Sequence, residues 1–228
     1  MSGISRIQEK RESRGQGGPS SVPGREVWFK VGDQAFLTAL ATGEEGDKFL
    51  DEVYMYTYNS GSRWVNLLDD PDVDTSDVPA NTRSSHKFAF WAYVHEVIHN
   101  ERRNDDWEAV SGPGGKKMFK ETINDFRVVC LTFGRSDYIW NQLVDVYNDW
   151  NGLDKGIMRI KRTGTGMFDT SYQIAATARK GEVPEDIMGK SEELPSIKEY
   201  FKSRYGGEMN GVAEGAVSLN NTKSDDLF

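Results

Sequence analysis

The strongest constraint on the fold is the alternation in residues 87–99, KFAFWAYVHEVIH. Phe88, Phe90, Ala92 and Val94 fall on one side of an extended chain, and Ala89, Trp91, Tyr93 and His95 on the other. A helix cannot keep a period of two, and aromatic and β-branched residues suit a pleated, half-buried surface, so this segment is expected to be a long strand.

The same signal recurs in EVWFKV (26–31), DEVYMYTYN (51–59) and DFRVVCLTF (125–133). The period changes in GRSDYIWNQLVDVYNDWNG. There Ile139, Leu143, Val146, Tyr147 and Trp150 form a helical stripe, with Ser136 as the expected N-cap and Gly152 as the stop. GIMRIKRTGTGMFDTSYQIAAT then reads as strand, glycine-containing turn, strand. Five or six strands with one main α-helix before the last hairpin predict a mainly β fold, an OB-fold-like Greek-key barrel. A generic β-sandwich is the alternative.

The 228-residue length suits one such domain with appendages. Residues 1–25 hold Arg6, Lys10, Arg11, Arg14 and Arg25 against Glu9 and Glu12 among Gly, Ser and Pro, and are expected to form a flexible basic arm. The folded domain is expected over 26–180, an acidic and helical extension over 181–206, and a disordered acidic tail over 207–228. A single cysteine, Cys130, excludes an internal disulfide framework. No stretch has the apolar core of a signal peptide or the length of a membrane span, so the expectation is a soluble intracellular protein without membrane partners. The net charge of -8 argues against a uniformly basic nucleic-acid binder but not against a locally basic surface.

HEVIH, His95 to His99, matches the zinc-protease pattern H-E-x-x-H. That chemistry needs a helix, which brings residues i and i+4 to one metal with the glutamate beside its water. On a strand the two imidazoles lie about 13 Å apart, too far to share an ion. The only other histidine, His86, lies upstream in a polar turn, and acids such as Glu121 are undistinguished as third ligands. The expectation is therefore no metal, no cofactor and no enzyme, with His95 and His99 on one face of a strand. A zinc metallopeptidase built on His95, Glu96 and His99 is the competing reading. GPGGKK fits neither a Walker A loop nor the dinucleotide fingerprint.

Single-stranded nucleic acid is held by cations along the phosphates and by aromatic faces under the bases. Tyr54, Tyr56 and Tyr58 share one strand face, leaving Val53, Met55 and Thr57 for the buried one. Trp91, Tyr93 and His95 share another face, and Arg63 stands beside Trp64. Lys116, Lys117, Phe119 and Lys120 fall in a glycine-bearing loop, and Arg159, Lys161 and Arg162 lead through a turn to Phe168 and Tyr172. Each aromatic alone reads more readily as core, and the hairpin cations alone as a solvated face. Their recurrence together on several strands points to a ligand surface.

The hairpin IMRIKRTGTGMFDTSYQIAAT, the helix before it and the acidic tail ending in phenylalanine resemble the single-stranded DNA-binding proteins of tailed bacteriophages. The resemblance spans residues 26–180 in element order plus the last few residues. It implies an OB-fold protein of DNA replication, recombination and repair in the host bacterial cytoplasm. Lys161, Arg162 and Tyr172 would lie at the DNA groove, and Asp225, Asp226, Leu227 and Phe228 would recruit replication and recombination proteins. Self-association is a further option. Some relatives carry a Cys/His zinc module between early strands. The corresponding stretch here, NLLDDPDVDTSDVPANTRSSH, has no cysteine and one histidine.

Overall fold

The computed structural model describes residues 25–27, 29–61, 63–132, 138–164, 170–179 and 183–206. Among them run β1 (Arg25–Val27), β2 (Gln34–Ala39), β3 (Leu50–Ser60), β4 (Arg63–Leu68), β5 (Ser85–His99), β6 (Glu108–Ser111) and β7 (Lys117–Thr132). Helix α1 (Tyr138–Trp150), β8 (Met158–Thr163), β9 (Ser171–Ala176), α2 (Glu185–Ser191) and α3 (Ile197–Tyr205) follow. The protein is mainly β, and its sheet curls into a half-barrel compatible with an OB-like fold. Helix α1 precedes the β8–β9 hairpin, in the expected order.

The curl originates in β5. Along one edge β5 pairs throughout with β7; along the other, residues from Ser85 to Phe90 pair with β3 and those from Ala92 to Ile98 with β2. One strand thus feeds two diverging branches: β3–β4, and β2–β8–β9. His95 is skipped in the register with β2, which makes it the extra residue of a β-bulge there, and on the β7 side it stands opposite two skipped residues, Ile123 and Asn124. A bulge sharpens the twist and moves the alternation forward by one residue.

Both faces of the sheet are buried at β5. On the first, Phe88, Phe90, Ala92 and Val94 pack with Val129, Leu131, Ile160 and Ile174 under the α1 residues Ile139, Leu143 and Val146. On the second, Ala89, Trp91 and Tyr93 pack with Val53, Met55, Phe126 and Val128 under the α3 residues Ile197, Tyr200, Phe201 and Tyr205. The positions 197, 200, 201 and 205 make one helical stripe. Ser196 and Glu199 cap it reciprocally, the Ser196 hydroxyl accepting from the Glu199 N–H at 3.2 Å and the Ser196 N–H donating to the Glu199 carboxylate at 2.9 Å. Lys198 and Lys202 of α3 reach Asp70, and Lys202 also reaches Asp72, so the acidic loop over 69–84 anchors this helix.

Four sequence expectations change. The expected strand count was too low, because β2, β4 and β6 carry little aromatic alternation: QAFLTA has one aromatic. Lys117, Phe119 and Lys120 stand in β7, and only Lys116 lies in the glycine turn. Of EVWFKV, only Glu26 and Val27 fall in described strand; Trp28 lies outside the described residues. Helix α1 stops through Asn151, whose φ of 57° takes the left-handed position assigned to Gly152, while the Gly152 N–H reaches back to the Tyr147 carbonyl at 3.1 Å. Ser136 lies outside the described residues.

Candidate nucleic-acid interface

Residue parity across the registers fixes which side chains share a face. On the α3 face, one row crosses five strands as Lys120, Ile98, Gln34, Lys161 and Gln173. The next row is Thr122, Glu96, Phe36, Arg159 and Ala175. Adjacent strands lie about 4.8 Å apart, so each row is a band about 19 Å long. Helix α3 lies over β3, β4 and β5, and α1 packs on the opposite face of β9. The β2–β8–β9 end of the α3 face therefore carries no helix among the described residues.

The chemistry of this uncovered region is cationic. Arg159 and Lys161 are half-buried and form no ion pair among the described residues, and the Arg159 Nε is buried without a partner. Arg179 lies over the Phe36 ring, 4.8 Å from its centroid, and bonds Glu96 at 2.9 Å. His95 bonds the Thr38 hydroxyl through Nε2 at 3.1 Å and meets Tyr93 edge-on at 5.0 Å. Burial, and secondarily Arg179, pull the His95 pKa below its ordinary value against the opposing pull of Glu96. A neutral imidazole there can accept or donate a hydrogen bond.

A second cluster sits at the rim where β2 begins and β5 and β8 end. The bulge turns His99 to the α1 face, away from His95, so the two histidines do not share a face as expected. His99 is 3 % exposed, with Nδ1 3.0 Å from Asp33, Nε2 3.0 Å from Glu121 and its ring stacked on Trp107 at 4.0 Å. Burial opposes charge on this imidazole, but the two carboxylates outweigh it and raise its pKa. With a carboxylate at each nitrogen, only the imidazolium can donate to both. Burial likewise opposes charge on Asp33, yet His99, Arg103 and the Lys30 N–H hold its carboxyl below the ordinary range. Arg103 reaches Asp33 at 2.5 Å. Among the described residues, no group of three or more His, Cys, Asp or Glu side chains is arranged to hold a metal ion. In HEVIH itself, Glu96 is paired with Arg179 and all of it is strand.

No family model and no curated protein matches the chain.

The proposed contact residues fall into separate groups. Arg159 and Lys161 line the uncovered α3 face. Arg162 points to the other face at the rim, where Nη1 bonds the Phe29 carbonyl at 2.5 Å and Nη2 the Thr170 hydroxyl at 3.0 Å. Lys116 joins the rim through Asn100 at 3.4 Å. Lys117 lies over Phe119 at 5.6 Å.

Tyr54, Tyr56 and Tyr58 do stand opposite buried Val53 and Met55, but that puts them on the α1 side of the sheet, across from Arg159 and Lys161. Tyr54 stacks there on His86 at 4.5 Å. Trp91, Tyr93 and Tyr172 are at most 6 % exposed and serve as core, so in this conformation they offer no face to a base. Tyr172 packs edge-on against Phe29, and burial raises its pKa. The side chains of Arg63 and Trp64, all of Phe168, and Asp225, Asp226, Leu227 and Phe228 lie outside what is described. Sequence reasoning missed Phe36, Arg179, Lys30 and Arg103. The first sits in a strand with little alternation, Arg103 and Arg179 lie in connecting segments with no aromatic within three residues, and Lys30, although it follows Trp28 and Phe29, stands alone as a cation in EVWFKV.

Proposed function

We propose that this chain binds single-stranded DNA without sequence preference and carries no catalytic activity. The observation that carries the reading is the pair Arg159 and Lys161, unpaired with carboxylates among the described residues, on a curled sheet face with Phe36 between β5 and β8. Half-buried cations without counterions favour a polyanion, because binding supplies the missing charge and releases the strand's own counterions. Phe36, Arg179 and His95 add a stacking and hydrogen-bonding floor beside them.

In this reading the protein is of the tailed-bacteriophage type. It protects and organises DNA during replication, recombination and repair in the host cytoplasm, and its terminal Asp225, Asp226, Leu227 and Phe228 recruit partner proteins. Among the described residues no helix is long and apolar enough to cross a membrane. The test is a salt titration of oligothymidylate binding, with double-stranded DNA as the comparison. Binding that weakens log-linearly with salt supports the reading, and undetectable binding at low salt or a preference for duplex overturns it.

A further inference from the structure

The rim cluster encloses a cavity of about 350 Å³ whose wall includes Lys30, Asp33, Asn100, Glu101, Arg103 and Arg162. That volume lies at the small end of ligand sites, which run from about 300 to 1,000 Å³. All the residues that line it except Val31 carry charged or polar head groups, and their hydrocarbon stems complete the wall. Such a lining suits a charged group better than a base.

The charges around the cavity leave one net positive, with Lys30, Arg103 and Arg162 against Asp33 and Glu101. Among the described residues Arg162 bonds only neutral oxygens, those of Phe29 and Thr170, and its Nε is buried without a partner. The Lys30 ammonium takes part in no ion pair among the described residues. Asp33 is completely buried and divides its carboxylate between Arg103 and His99. The cavity wall is also built to hold its shape. Asn100 donates through Nδ2 to the Val31 carbonyl at 2.7 Å, and this approach is open only because residue 32 is glycine at φ +80°. A Cβ there would stand 1.8 Å from the Asn100 amide. Arg103 is backed by Trp107, 5.8 Å from the ring centroid, and Trp107 in turn by His99.

The geometry points to a phosphate-binding site: the Lys30–Arg103–Arg162 cavity takes a phosphate group of the bound strand. This rests on the DNA-binding reading, and it places an anchor at the edge of the uncovered face, because Arg162 directly follows Lys161 and pairs through its backbone with Asp33 at 3.0 Å. The phosphate has two possible sources, a terminal monoester or an internal diester.

Three oligothymidylates separate these sources: one with a 5′-phosphate, one with a 3′-phosphate and one with hydroxyls at both ends. Each is titrated into the wild-type protein, Lys30→Gln and Arg162→Gln. Lys30→Gln is the decisive variant, because the exposed Lys30 side chain makes no hydrogen bond or ion pair among the described residues, whereas Arg162→Gln also loses two internal hydrogen bonds. A terminal site is expected to bind one phosphorylated oligomer roughly three- to tenfold more tightly than the unphosphorylated one, with the difference gone in Lys30→Gln. An internal site shows no such difference, but Lys30→Gln weakens all three equally and lowers the salt slope by about 0.7. If Lys30→Gln binds all three as the wild type does, the site is overturned while the DNA-binding reading stands. If no oligomer binds the wild type, that reading fails. Inorganic phosphate then tests the cavity alone: a rise in the wild-type melting temperature that Lys30→Gln lacks upholds the site, and no rise overturns it.

Discussion

The indole Nε1 of Trp91 donates a hydrogen bond to the backbone carbonyl of Pro195, 3.0 Å away and 104 residues further along the chain. This bond ties the most buried aromatic of the central strand to the residue that leads into α3, and the Tyr200 ring closes over the indole edge-on at 5.2 Å. Trp91→Phe keeps much of the packing but leaves the Pro195 carbonyl without its donor and opens a small void. The expected loss is about 1–3 kcal/mol in urea denaturation. Oligothymidylate affinity at fixed salt is expected to stay unchanged, because the indole already belongs to the core. A loss of affinity in a fully folded variant would return Trp91 to the interface.

The opposite placement of the hairpin cations and the tyrosines gives a paired test. Lys161→Ala removes one phosphate partner from the uncovered face, so the slope of log affinity against log salt should fall by about 0.7. Tyr54→Ala changes a residue on the other side of the sheet, stacked on His86, and should leave both slope and affinity as they were. Fluorescence anisotropy across a salt series reads both. Equal effects from the two substitutions would mean that DNA wraps around the sheet edge.

Much of this architecture is legible in the sequence because period two and period 3.6 are local signals. The alternation of Phe88, Phe90 and Trp91 marks β5, and the stripe from Ile139 to Trp150 marks α1. The function of each face is not local. Trp91 and Tyr93 look like a binding platform until Ile197, Tyr200 and Phe201, more than 100 positions later, are seen to cover them. The bulge at His95 is equally hidden, since an extra residue in one strand shows only against its neighbours' register. That single residue separates His95 from His99 and builds the rim cluster that no motif announces. β2 went unread because QAFLTA carries one aromatic and no clean alternation of apolar and polar residues.

The rim cluster makes stability depend on pH in a defined direction. The His99 pKa is raised above 6.5, so its contribution is fully present below pH 6.5 and is lost as pH rises through the higher folded value. Asp33 is depressed below 3.8, so its contribution is present above pH 3.8 and is lost as pH falls through the lower folded value. The urea midpoint should therefore decline as pH rises above 6.5. In Glu121→Gln, which removes one of the two carboxylates holding the imidazolium, that decline should be smaller and should end at lower pH. An unchanged profile in Glu121→Gln would show that His99 does not carry the charge.

Cys130 offers a probe of the same sheet from a different direction. Burial pushes its thiol up to about 12, against the milder opposing pull of Lys87. At pH 8 the thiolate, the form that reacts with disulfide and alkylating reagents, is therefore scarce. In the folded protein its labelling should be slow and should follow the opening of the β5–β7 pairing, where Cys130 sits opposite Ala89. Weakening the α3 cover by Tyr200→Ala should raise the rate exponentially with the lost stability, by roughly two to four powers of ten for the about 3–5 kcal/mol that removal of a large buried aromatic costs. Fast labelling of the wild type, at the rate of a free thiol, would contradict the packing of α3 on this face.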